Sequence, residues 1–456
     1  MSAPVVIVGG GIAGLAAAVD LTTRAIPVLL LEQKPKLGGR AYSFVDADTG
    51  EVVDNGQHVL IAGYERTLRF LERIGARDRL TIQPQPQLVL HHPQRGFCEF
   101  TLPKLPSPLH LIAGILSSNL FSFSDRIKLL RAGAAIRRRA DPTIDAMTIE
   151  RWLNSIGQST ELKRSFWEPL AIAIMNEHIA NASATIFLNA LRHAFLANWR
   201  NAALAIPRVG LSELYVDNAQ ACIESAGSVV RCNADVVSLV IEGDIVRGVT
   251  LRDDETIEAA AVILAVPHFR LDALMPPAWR GEVEHARLLS VPSVPIVSIH
   301  LWYQRDFMPH EVVGLIGRRV QWIFNKRKIT RECGVGGHLS CVISGARDFV
   351  DLSNDELIRI AGEDVVSVFS HASPTPNHAL VIREKRATFS SSPESEKLRP
   401  DHRTSFRNLF LAGDWTNTGL PATIEGAIMS GERCAGLAMR LAAVKGDRRA
   451  CRQAGV

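Results

Sequence analysis

Apolar positions along the chain open with two short unbroken runs, residues 5–8 and 28–31, built from Val, Ile and Leu with no polar alternation. Such runs predict strands. Between them, the first run passes through a glycine turn into an alanine-rich segment, which predicts a helix. The turn from the first run into this helix holds Gly9, Gly11 and Gly14, with Ala13 inside it. A strand, a glycine turn and a helix in this order predict a dinucleotide-binding unit. Gly9 permits the turn, Gly11 lets backbone approach a pyrophosphate, and Gly14 lets the helix pack on the strand. The helix start offers free N–H groups and a positive dipole to phosphate. Glu32 follows the second run, about 20 residues beyond the turn, where a carboxylate accepts hydrogen bonds from ribose hydroxyls and repels a 2′-phosphate.

The pattern then changes several times. Two β-like runs flank an Asp-rich turn at residues 46–50 and predict a hairpin, whose outgoing strand carries Asp54, Asn55, Gly56, Gln57 and His58. Residues 64–75 repeat apolar positions at helical spacing and end on Gly75, a helix with a glycine stop. From about residue 80, prolines at 84, 86, 93, 103, 106 and 108 interrupt short strand-like pieces, and a mainly helical region follows to about residue 204. After Pro207, Ser212 is placed to cap a helix running to about Ala226, and strand-like runs continue to Pro267. Residues 268–404 alternate β-like runs with a helix from Ser353 to about Phe369. Gly334 to Gly337 precede a strand instead of opening a helix, which excludes a second nucleotide turn. The last strand ends at Gly413-Asp414, and Pro421 suits the first turn of a helix passing through Gly426 and Gly431. This order predicts an α/β fold. A discontinuous Rossmann-like domain is expected from residues 1–80, 205–267 and 405–444, an inserted α+β substrate domain from 81–204 and 268–404, and a flexible basic tail at 445–456.

With 456 residues the chain is long enough for two ordinary domains. Its net charge of +4, set against 51 basic and 47 acidic side chains, argues against nucleic acid. Seven cysteines, at 98, 222, 232, 333, 341, 434 and 451, show no C-x-x-C spacing, which excludes a disulfide framework or zinc site and points to a reducing, cytoplasmic setting. The apolar start lacks the basic flank of a signal peptide. Residues 105–124 come nearest to a membrane span, but prolines, serines and an asparagine break the run. Beside them, residues 125–139 are basic, with Arg137, Arg138 and Arg139 at the end, so the pair suits a peripheral contact with anionic lipid on the inner face of the membrane.

Glu32 followed by Gly38-Gly39-Arg40 resembles the amine oxidase and phytoene desaturase superfamily of flavoproteins. That resemblance, and not the spacing, selects noncovalent FAD. Residues 54–58 and 408–431 are similar to the hydroxysqualene dehydroxylase family in particular. Residues 166–173 are similar too, but the family's Leu-Asn-Thr-Pro type segment is absent after them, which leaves Glu168, Glu177 and His178 as spare candidates. The resemblance implies that Val236 holds the adenine edge through its backbone and that Gly413 and Asp414 take the ribityl and pyrophosphate end. It places Ala422 and Thr423, at the start of the last helix, by the flavin N1 and C2 carbonyl, and residues 55–58 beside the ring. The implied activity replaces the hydroxyl of hydroxysqualene by hydrogen in squalene and hopanoid synthesis, with an apolar triterpene substrate and an electron donor that the sequence does not name. Departure of the hydroxyl requires a proton. His58 is the first candidate donor, because its ordinary value near 6.5 allows a protonated fraction, and Asp54 is the second, if burial keeps it protonated. A carotenoid-type desaturase, a flavin amine oxidase and a prenyl-binding protein without catalysis share the architecture. The last needs no cofactor, against which Gly11, Glu32, Gly39 and Asp414 speak.

Overall fold

The computed structural model describes residues 3–137, 142–276, 288–330 and 334–453. Strands Val5–Val8 and Val28–Leu31 are buried at every position and pair in parallel, Val5 beside Val28 and Val8 beside Leu31. They lie within a five-stranded parallel sheet in the order Val229–Arg231, Val28–Leu31, Val5–Val8, Ala261–Leu264, Leu409–Leu411. Segments from the beginning, middle and end of the chain thus share one sheet, and the fold is α/β. Helix Ile12–Thr22 is buried at all of its 11 positions. The sheet covers one side of it and the last helix, Ile424–Gln453, another. Gly431 makes this second contact possible, since a Cβ there would stand 2.2 Å from the carbonyl oxygen of Ala13.

The last helix continues through most of the segment expected as a tail from Lys445. Ala442, Ala443, Arg448, Arg449 and Ala450 are strong helix formers, and they outweigh Gly446. Ser212 is also placed differently from expectation. It stands in a short π-helical turn, Ser212–Val216, ahead of helix Asp217–Ser225, and its hydroxyl accepts from the Ser43 N–H at 2.9 Å instead of capping. The hairpin forms from Ser43–Val45 and Val52–Asp54, and helix Glu65–Arg73 stops at Gly75. Pro421 precedes the last helix, whose first turn is capped by Thr423, accepting from the Gly426 N–H at 3.1 Å. Among the described residues Cys98, Cys222, Cys232, Cys341 and Cys434 are free thiols, and Cys333 lies outside them.

A seven-stranded sheet joins the two regions that flank the middle strands of the first sheet. Its order is His378–Phe389, Ser293–Tyr303, Gly337–Ile343, Trp322–Asn325, Val312–Leu315, Gln87–His92, Gly96–Thr101. Alternation along Ser293–Tyr303 sends Val297, Ile299 and Leu301 into a core with helix Asn354–Val368. The intervening residues face the other way: Ile296 lines the cavity described below, Ser298 stands by Gly56, and His300 bonds His338 at 3.0 Å. A helical layer, Leu109–Ser117, Phe123–Arg137, Ile149–Ser155, Glu168–Met175 and Ala184–Leu191, packs around Trp152, Trp167 and Phe187.

Candidate functional site

A cavity of about 640 Å³ lies where the C-terminal ends of the parallel strands meet the seven-stranded sheet. Val8, Leu31, Ala265 and Gly413, at or just past four strand ends, line one side, and Ser293, Ile296, Thr388 and Phe389 line the other. Crevices at the carboxyl ends of parallel strands are where open α/β sheets take ligands.

The glycine turn divides its labour. A Cβ at Gly9, whose φ is +109°, would meet the Ala265 carbonyl oxygen at 2.5 Å, and one at Gly14 would meet the Gly9 carbonyl oxygen at 2.0 Å. Gly14 is therefore a packing residue and is not on the cavity wall. Gly11 is on the wall, with nothing nearer to its Cβ position than the Gly39 Cα at 3.9 Å. No side chain caps the start of helix Ile12–Thr22, so its first N–H groups remain available to an anion. Glu32, buried on the same wall, accepts from the Gly10 N–H at 2.7 Å and the Lys34 N–H at 2.9 Å. Two backbone donors fix the carboxylate and leave further lone pairs for a ligand.

Ala13, Gly38, Gly39, Arg40, Val236, Asp414, Ala422 and Thr423 also reach the wall. Arg40 spans the cavity edge, donating to Asp414 Oδ1 at 2.8 Å and to the Ala387 carbonyl at 2.6 Å. Asn55, Gly56 and His58 also line the cavity, beside Arg40. Asn55 donates to the Arg40 carbonyl at 3.1 Å. Gln57 turns away, and its Oε1 accepts from Lys326 Nζ at 3.0 Å. These residues fit a dinucleotide: an open glycine wall, uncapped helix N–H groups, and a fixed carboxylate lie on one surface.

Asp54 is buried beneath this wall and does not line it. It accepts from Lys326 Nζ at 3.0 Å, the Leu211 N–H at 2.9 Å and the Ser43 hydroxyl at 2.8 Å. Burial alone would raise its carboxyl, but Lys326 and the other donors outweigh burial and hold it below the ordinary value. The expectation of a protonated, buried Asp54 is corrected accordingly, since the carboxylate stays ionised. His58 is also shifted against expectation. Burial holds its imidazole below the ordinary value, Arg40 adds to this, and Asp54 opposes it, so the resting ring is neutral near pH 7. Lys326 stands beside Arg327 and Lys328 in the sequence, and nothing in that local text sets it apart as a buried partner of Asp54. Only the fold buries it.

The spare candidates sit elsewhere. Glu168 accepts from His178 Nδ1, and this bond raises the His178 imidazole above its ordinary value. Glu177 accepts both Arg347 donors, at 2.7 and 2.6 Å, and the Ser390 hydroxyl at 2.8 Å. These pairs brace the loop after helix Glu168–Met175.

Residues 12–439 match the family of flavin-containing amine oxidoreductases. A hydroxysqualene dehydroxylase from Sinorhizobium fredii is 30% identical over 439 residues, covering 95% of this chain and 97% of its own. A 15-cis-phytoene desaturase from Synechococcus elongatus is 25% identical, with 94% of each chain covered. The crystal structure of an oxidoreductase from Methanosarcina mazei shares the fold at a TM-score of 0.74 and 18% identity, over 94% of this chain and 99% of that one. The chain belongs to the flavin-containing amine oxidoreductase family and, within it, to the hydroxysqualene dehydroxylases.

Proposed function

We propose that this chain binds FAD noncovalently and removes the hydroxyl of hydroxysqualene reductively, giving squalene. The observation that carries the reading is the cavity itself, whose lining joins a nucleotide-type wall to Asn55, Gly56 and His58, in a chain of the dehydroxylase family. In this reading residues 1–80, 205–267 and 405–444 hold the cofactor, and residues 81–204 and 268–404 hold the triterpene. The Gly11 wall and the helix N–H groups take the pyrophosphate, Glu32 takes a ribose, the Val236 backbone takes the adenine edge, and Gly413, Asp414, Ala422 and Thr423 take the flavin end.

Reduced FAD, when bound, would supply a hydride, two electrons with one hydrogen, that takes the place of the departing hydroxyl on carbon. The chain itself excludes water with Ile296, Phe389 and Trp415 along the wall, positions the substrate, and moves one proton to the hydroxyl as it leaves as water. His58 is assigned that proton, from a ring nitrogen, because it is the imidazole in the Asn55 to His58 wall. Asp54 has the supporting role, its fixed negative charge favouring the protonated form of His58. An external donor returns two electrons per turnover. The substrate reaches the protein from the inner face of the cytoplasmic membrane.

The test is anaerobic incubation of the purified, flavin-loaded protein and a chemical reductant with hydroxysqualene, and separately of the oxidised protein with squalene-type and phytoene-type hydrocarbons, with products identified by mass. Squalene from the first mixture supports the reading. Desaturated products from the second, with none from the first, establish a desaturase instead.

A further inference from the structure

A second cavity, of about 400 Å³, lies between helices Leu109–Ser117 and Phe123–Arg137, away from the cofactor wall. Leu111, Ile115, Leu130, Phe166, Trp167 and Phe195 make it almost wholly apolar. Around it the same helices expose what a soluble surface hides: Leu109 is 51% exposed, Leu116 49%, Phe123 76% and Ile127 41%. With Leu105 these are five of the ten large apolar side chains exposed among the described residues, gathered within 23 positions of a 456-residue chain. Phe123, Ile127 and Arg131 follow one another at i, i+4 and i+8, so they form one stripe of their helix.

Charge identifies the occupant. From Leu105 to Arg137 the basic side chains are Arg126, Lys128, Arg131 and Arg137, and the one acid, Asp125, is buried, accepts from Ser122 and Ser159 and pairs with Lys128 at 4.0 Å, which leaves a net positive charge on the segment. An apolar patch on a segment of net positive charge repels a second copy of itself across a two-fold axis, and attracts a surface that is apolar within and anionic without. Among the described residues no helix is long and apolar enough to cross a membrane, so the contact lies on the surface. Arg138 and Arg139, read from the sequence as part of the basic cluster, lie outside the described residues.

We infer that this helix pair docks on an anionic bilayer and that the cavity between its helices takes one hydrocarbon chain from that bilayer. The inference rests on the proposed function only in that a triterpene substrate resides in lipid. Moving a chain from lipid into an equally apolar cavity has little hydrophobic driving force, so it occurs where the cavity mouth abuts the bilayer. Gly133 lines the cavity with open space beyond its Cβ position, which makes it the place to fill.

The flavin-loaded protein is floated with vesicles of phosphatidylglycerol and phosphatidylcholine, some carrying brominated acyl chains, and the fluorescence of Trp167, defined by difference from Trp167→Phe, reports chain entry by quenching. Wild type is expected to float and to be quenched. The Leu109→Glu/Phe123→Glu protein, altered at exposed positions, is expected to lose at least tenfold of its vesicle binding with unchanged flavin content and melting temperature. Gly133→Phe, or the smaller Gly133→Leu if the first misfolds, is expected to float and to escape quenching. The inference is overturned if wild type does not float, if the Glu pair floats equally well, if both Gly133 variants are quenched as wild type is, or if sedimentation shows the Glu pair only splitting a dimer. Dehydroxylation in detergent is measured separately. Its failure alongside intact flotation and quenching counts against the proposed function alone, and turnover in detergent without flotation counts against the docking surface alone.

Discussion

Lys326 Nζ lies 3.0 Å from Asp54 Oδ2, both side chains at most 5% exposed, and so ties the first hairpin to the seven-stranded sheet across 272 positions of chain. Removing one member of a buried pair strands the other charge, a cost of about 3–5 kcal/mol. Lys326→Met should lower the denaturant midpoint accordingly, and Asp54→Asn/Lys326→Met should recover part of the loss. The pH dependence has a definite sign. Asp54 has a lowered folded value, so its contribution is full above the unfolded carboxylate value of about 3.9 and disappears as pH falls through the folded one. Lys326→Met should therefore lose less stability than wild type over that acid interval. An unchanged acid limb in unfolding experiments would show that the pair does not set it.

The glycines on and under the cofactor wall predict opposite defects. Gly11→Leu enters open space, so the protein should melt as wild type does but purify without flavin. Gly14→Ala puts a Cβ 2.0 Å from the Gly9 carbonyl oxygen, so the fold itself should weaken. Glu32→Ala removes the acceptor of two backbone N–H groups, and flavin affinity should fall by roughly 1–3 kcal/mol in an absorbance titration. Full flavin content in both Gly11→Leu and Glu32→Ala would refute the assignment of this wall.

The apolar runs, the glycine turn and the hairpin are legible because each is a local pattern with a local cause. The uninterrupted burial of residues 5–8 and 28–31 follows from their unbroken apolar text, and the parallel sheet from that burial. What the text could not show is long-range. Lys326 reads as one of three neighbouring basic residues until a partner 272 positions away buries it. Ser212 has the right identity for a cap, but Ser43, brought beside it by the fold, takes its hydroxyl. The state of Asp54 turns on the same long range: burial is foreseeable from the local text, and the ammonium that outweighs burial is not.

Gly431 gives a third prediction, on the contact between the last helix and the helix that starts at the glycine turn. Its Cβ position is 2.2 Å from the Ala13 carbonyl oxygen and 3.0 Å from the Ala17 nitrogen, both backbone atoms that cannot rotate away. Gly431→Val must push the helices apart, an overpacking cost of typically 1–3 kcal/mol. Because Ala13 lines the cavity proposed for the cofactor, the same variant should lower flavin affinity, whereas Gly436→Ala on the same helix, with open space at its Cβ position, should change neither. Thermal melting with and without added FAD separates the two effects.

The last prediction concerns the proton. His58 rests neutral because burial and Arg40 disfavour its charged form, and a neutral imidazole is a poor acid toward a hydroxyl. If His58 delivers the proton, single-turnover reduction with prebound flavin must rise as pH falls below the ordinary imidazole value of about 6.5, and it must level off only below the lowered value. Asp54 opposes the lowering, so Asp54→Asn removes a charge that favours the imidazolium and leaves Lys326 as an unpaired positive charge nearby. Both changes act in one direction. The acid limb should move to still lower pH in Asp54→Asn, although residue 54 itself does not line the cavity. His58→Gln should lose the limb and fall about 10²–10⁴-fold while keeping its flavin. A limb that stays in place in His58→Gln belongs to another group, and would confine His58 to shaping the cavity wall.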